Sequence, residues 1–154
     1  MCGALAIALL LAASGCRVDP EIRVTGLDLV GRGESADEYS LQLEVFNPTE
    51  NPLVLDIWQY EVTTDVGSWS NRWVASRTLP ARVVTKDSLP VVIHHGAAPS
   101  SASAWQVHGT LRYLLPGQLA ETLFDLGVSR PSVDFAASGN STPVGPEATA
   151  VEAR

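Results

Sequence analysis

Beyond position 16 the chain contains no cysteine, its two being Cys2 and Cys16. No disulfide can form within the rest, so a buried apolar core has to hold the fold. No charged residue precedes Arg17. The longest apolar run, Ala4 to Ala13, is too short to span a bilayer as a stable helix and has the length of a signal-peptide core. Positive charge is scarce, with 10 Lys and Arg against 17 Asp and Glu, for a formal net charge of −7. A chain this acidic has little with which to neutralise phosphates, which argues against nucleic acid as a partner. It is also repelled by anionic lipid headgroups. There is no Gly-x-Ser-x-Gly elbow, no phosphate-binding glycine loop and no pair of carboxylates that stands out as acid and base. Internal repeats and helical heptads are missing too.

What the chain does have is period-two alternation over most of its length. Ile22 and Val24 alternate with polar neighbours, and after Gly26 the pattern resumes on the opposite parity at Leu27 and Leu29. A glycine at a parity switch is the mark of a β-bulge. Tyr39, Leu41, Leu43 and Val45 form the clearest apolar row, which Asn47-Pro48 brings to a stop. A residue before proline is held extended, and an asparagine there can close an Asx turn, so Asn47 and Pro48 read as structural turn residues. Leu53, Leu55 and Ile57 open the next strand, and Trp58, Tyr60 and Val62 continue it with shifted parity, which predicts a second bulge near Ile57.

Gly67 to Arg77 is less regular, and a turn at Ser70-Asn71 between Trp69 and Trp73 is expected there. Leu79-Pro80 and Leu89-Pro90 bracket a further alternating stretch, followed by a short apolar strand, Val91 to Ile93. Trp105, Val107, Gly109, Leu111 and Tyr113 alternate along a late strand. Leu119, Leu123 and Leu126 fit one face of a short helix near 118–126, although a strand also fits the Thr122-to-Phe124 stretch. About seven strands separated by turn signals give an all-β, antiparallel β-sandwich over 21–135. Residues 136–154, small and polar with Gly and Pro, are expected to be a disordered tail.

Two resemblances follow from these residues. Leu11-Ala12-Ala13-Ser14-Gly15-Cys16 resembles the lipobox of bacterial lipoproteins. That resemblance implies a signal peptide at 1–15, diacylglycerol on the Cys16 thiol and cleavage just before Cys16. Residues 16–20 then form the lipidated N-terminus and a short linker. Cys2 would be lost, and the remaining thiol would carry lipid. The implied location is the exported side of a membrane. Arg17 is not the aspartate that marks inner-membrane retention, so in a diderm the periplasmic face of the outer membrane is favoured. The second resemblance covers about Ile22 to Phe135. It rests on Val24-Thr25-Gly26-Leu27, on Leu41 to Pro48 with its closing Asn-Pro, on the strands from Leu53 and Leu89, and on Val107-His108-Gly109-Thr110-Leu111. In that order these resemble the late embryogenesis abundant group 2 family, also called the WHy domain. The family implies an immunoglobulin- or fibronectin-III-like sandwich without catalytic residues. It also implies a protective or binding role in stress such as desiccation.

The candidate binding residues are Trp69 and Trp73, aromatic side chains among Ser68, Ser70, Asn71 and Arg72. Aromatic residues anchor interfaces; core packing is the competing reading, favoured for Trp105 by its parity. The partners expected are the membrane through the lipid and a protein client or envelope partner, with an adaptor lipoprotein as the alternative to a protective one. His94, His95 and His108 lack metal-ligand spacing, and adjacent strand residues face opposite ways, so no metal is expected. No cofactor is expected beyond the acyl groups on Cys16.

Overall fold

The computed structural model describes residues 18–95 and 102–140. Cys16, the signal peptide expected at 1–15 and the tail beyond Asn140 lie outside the described residues. Seven strands form: β1 (Glu21–Arg32), β2 (Ala36–Phe46), β3 (Leu53–Thr64), β4 (Ser68–Leu79), β5 (Val84–His94), β6 (Ala104–Leu114) and β7 (Ser132–Asn140). One helix, α1 (Gln118–Asp125), connects β6 to β7. The strands make a three-stranded sheet, β1-β2-β5, and a four-stranded sheet, β4-β3-β6-β7. Every neighbouring pair is antiparallel. This is the seven-stranded antiparallel β-sandwich expected from the alternation.

The inward rows supply the core. Tyr39, Leu41, Leu43 and Val45 from β2 and Leu89, Val91 and Ile93 from β5 face Leu53, Leu55, Trp58, Tyr60 and Val62 from β3 and Val107, Leu111 and Tyr113 from β6. Both expected bulges are present, as register shifts between Val24 and Gly26 and between Leu55 and Ile57. The second takes Asp56 out of the ladder. As a result Leu55 and Trp58 both reach the core although they are three residues apart.

Three expectations are corrected. Gly67 to Arg77 does not turn at Ser70-Asn71: β4 runs unbroken through it, and the turn lies at Asp65-Val66-Gly67, closed by the Thr64 hydroxyl. The polar pattern misled because β4 is an edge strand with little of its length covered. Leu89-Pro90 does not bound a strand, since β5 continues through Pro90. It too is an edge strand, where a missing N–H leaves no ladder bond unmade. The domain does not end at Phe135, because β7 continues to Asn140.

The last correction has a specific cause in two cross-strand aromatic–glycine pairs. Gly139 lies opposite Trp105, and Gly109 lies opposite Phe135. A Cβ on Gly139 would sit 2.6 Å from the Trp105 ring, and one on Gly109 would sit 2.6 Å from the Phe135 ring. The bare glycine backbone is therefore the surface each ring covers. Phe135 in turn meets Trp58 edge-on, with centroids 5.6 Å apart. Within 136–140, Gly139 is the partner of the Trp105 ring on β6.

Candidate functional site

Asn47 joins the two sheets at one end of the sandwich. It is fully buried. Its amide donates to the carbonyls of Asn51 (2.8 Å) and Leu79 (3.2 Å). Its side-chain oxygen accepts from the Thr49 amide (3.0 Å) and the Thr49 hydroxyl (2.8 Å). All four hydrogen-bonding positions of the side chain are used. Its backbone carbonyl accepts from the Arg82 amide at 2.9 Å, which holds Arg82 in the left-handed region, φ 59°. Pro48 follows in the turn. The expected turn pair is thus also a staple between the β2–β3 and β4–β5 connections.

Each of the three tyrosines uses its hydroxyl as a clamp. Tyr39 accepts from the Ala102 amide at 2.9 Å, and Tyr60 on one sheet donates to the Pro90 carbonyl on the other. Burial pushes the Tyr60 phenol above its usual range, outweighing the opposing hydrogen bond from the Asn71 amide and the nearby Trp69 indole. Tyr113 donates to Asp19, so the segment leading into β1 is fastened to the sandwich. Pro20 beside it is buried. No motif in the sequence marks Asp19 or Asp37. Asp37 extends the inward row Tyr39-Leu41-Leu43-Val45 by one step, and that parity was the available signal.

The two candidate tryptophans separate. Both lie on the inward face of β4, Trp69 opposite Val62 and Trp73 opposite Trp58. Four residues apart on one strand, they are about 13 Å from each other. Trp69 is half-buried against the core. Its indole N–H lies beside the Tyr60 hydroxyl, without a hydrogen bond of ordinary geometry. Trp73 stays 45% exposed and Val74, on the opposite face, 61% exposed. Two residues on, Ser76 takes φ 42° at the bulge. Strand β4 is an edge, so this apolar pair flanks backbone groups that no strand among the described residues pairs. Trp58 and Trp105 are core residues.

The histidines do not converge. His94 is exposed at the end of β5. The His95 side chain is buried against Asp37, with 3.5 Å between Nε2 and the carboxylate. His108 faces solvent on β6, 3.5 Å from Glu61. Asp87 lies toward the far end of β5, beside Arg77. No group of three or more His, Cys, Asp and Glu with metal-binding geometry exists among the described residues. On the outer face of the larger sheet, Glu61, His108 and Thr110 border an open hollow of about 540 Å³. The Thr110 hydroxyl there donates to Asp134 at 2.9 Å. At the end of the sandwich away from Asn47, Asp65 accepts from the Ser103 hydroxyl and amide, which lowers its carboxyl below the usual range.

No protein-family model matches the chain, and no curated protein does. Among solved structures it is similar to a structural-genomics target titled SoR45, with a TM-score of 0.50, 12% identity, and coverage of 83% of this chain and 87% of that one. It is more distantly similar to a protein from Archaeoglobus fulgidus, with a TM-score of 0.43, 9% identity, and coverage of 81% and 97%. The first likeness supports the sandwich fold. None of the helices described is long and apolar enough to cross a membrane.

Proposed function

We propose that the protein is a lipid-anchored, non-enzymatic sandwich of the late embryogenesis abundant group 2 type, with a protective or binding role in the cell envelope. The observation that carries the binding role is the edge of β4, where Trp73 and Val74 expose apolar surface on both faces of an edge strand. An edge of this kind presents N–H and C=O groups to an extended polypeptide, and flanking apolar side chains give such a strand something to pack on. A partly unfolded client fits this chemistry. The net charge of −7 keeps the tethered domains from associating with one another. The anchor is the acylated Cys16, and the exported compartment follows from it.

The test is protection of a labile enzyme through drying or freezing by the purified mature domain, against an equal mass of albumin. Protection that exceeds albumin and drops in Trp73→Ala supports the proposal; protection equal to albumin refutes it. The adaptor alternative uses the same edge for one dedicated partner. It is favoured instead if membrane pull-downs yield a stoichiometric protein that Trp73→Ala releases.

A further inference from the structure

The strongest unexplained feature is the uneven distribution of exposed apolar side chains. Ten large ones are exposed among the described residues. Val30, Trp73 and Val74 lie elsewhere; the other seven sit toward the end of the sandwich where β1 and β5 begin and β6 stops. Val18 precedes β1, and Val83 and Val84 open β5. Leu119 and Leu126, 73% and 71% exposed, lie in and just after α1, and Val128 follows at 70%.

Helix α1 is itself unusual. None of its residues is buried. It is held to the sandwich mainly through Phe124, whose ring lies under the guanidinium groups of Arg112 at 5.6 Å and Arg130 at 5.9 Å. Leu119, Leu123 and Leu126 follow one another at i, i+4 and i+7, an apolar stripe, while Gln118, Glu121, Thr122 and Asp125 supply polar positions. Leu123 is partly covered, and a helix that leaves Leu119 and Leu126 open gains little from water and much from an interface.

The same end carries the chain's entry point. Asp19 is fastened to Tyr113, the residue before Leu114 at the end of β6. Cys16 lies three residues before Asp19, a reach of about 10 Å at full extension. Acyl groups on Cys16 would therefore hold this end, and not the β1–β2 hairpin about 30 Å away along β1, against the bilayer.

We infer that the occupant of this surface is the lipid bilayer itself: α1 and the β4–β5 turn rest in the headgroup region, with Leu119, Leu126 and Val128 inserted. The inference rests on the acylation of Cys16 proposed above. It fixes the orientation of the domain and turns the β1–β2 and β3–β4 turns away from the membrane. The contact is apolar. Glu121 and Asp125 make it a poor match for an anionic surface, so raising salt should not release it.

The experiment uses the full, membrane-processed chain reconstituted in phosphatidylethanolamine-rich vesicles. An environment-sensitive fluorophore is placed on Val128→Cys or Val30→Cys, since the Cys16 thiol is blocked by lipid. Mass spectrometry of the mature N-terminus accompanies each sample. The expected result is a blue-shifted Val128 label quenched at least twofold by headgroup-level nitroxide lipids, insensitive to salt, and a Val30 label that reports water. Leu119→Ser with Leu126→Ser should abolish most of that quenching while leaving acylation and the circular dichroism spectrum unchanged. With acylation confirmed, equal quenching at both sites, or none at Val128, overturns the inference and leaves the tether standing. A mature chain without acyl mass refutes the tether, and the inference falls with it.

Discussion

Replacing Asn47 should destabilise the domain more than its short side chain suggests. In Asn47→Ala four hydrogen bonds disappear. Thr49 and Asn51 lie in an exposed turn, and their backbone groups can turn to water. Leu79 is fully buried, so its carbonyl loses a partner it cannot replace. An unsatisfied buried group costs about 1–3 kcal/mol, and each lost local bond about 0.5–1.5 kcal/mol. These sum to about 2.5–7.5 kcal/mol, and with Thr49 and Asn51 rehydrated the loss should fall toward the lower end, about 3 kcal/mol; Arg82 would lose part of the frame that holds its left-handed backbone. Urea unfolding followed by tryptophan fluorescence measures this directly, as a lower midpoint with an unchanged slope.

Asn47→Asp separates the staple from simple loss of volume. It keeps the shape and the oxygen that accepts from Thr49. It replaces the two donated bonds with a carboxylate aimed at two carbonyl oxygens, which raises the folded-state pKa of the new group above its unfolded value of about 3.9. The folded state then binds the proton more tightly, so the variant gains stability relative to wild type as pH falls from 7 toward 4. A loss below about 1 kcal/mol in Asn47→Ala, or a flat pH response in Asn47→Asp, would refute the staple.

Gly109→Ala should cost about 1–3 kcal/mol, because its Cβ collides with the Phe135 ring and with the Gln59 carbonyl, both at 2.6 Å; an unchanged thermal midpoint would remove the aromatic–glycine argument. Tyr60→Phe should lose about 1 kcal/mol by breaking the one phenolic bridge from β3 to β5, read as a lower urea midpoint. For Asp65 the folded pKa is depressed. Its bond to Ser103 is therefore fully present above the unfolded value and is lost as pH falls through the lower folded value. The Ser103 amide resonance should titrate with a midpoint below 3.8, and Asp65→Asn should abolish that titration.

Much of the fold was legible because a half-buried strand writes its geometry into its sequence. The rows Tyr39 to Val45 and Trp105 to Tyr113 fixed which face is inward, and parity shifts located the bulges at Gly26 and before Ile57. Edge strands were harder to read. Strand β4 buries only part of one face, so its pattern resembles a loop, and β7 is written largely in small residues, of which Gly139 lies beneath the Trp105 ring of β6. The candidate site was legible in part. Trp73 is exposed whereas Trp69 packs against the core, and nothing local distinguishes two tryptophans of the same strand and parity.

Local chemistry decided what needs only neighbours in the chain: alternation set the strands, Asn-Pro set the turn, and the lack of any cysteine after Cys16 left the fold to its core. Tertiary structure decided what depends on residues distant in sequence. Only there does Asn47 meet Leu79, Tyr113 meet Asp19, and Phe135 cover Gly109. Only there, too, do Val18, Val83 and α1 come to lie at one end of the sandwich. Closure of two sheets brings such residues together, and no window of sequence contains both partners.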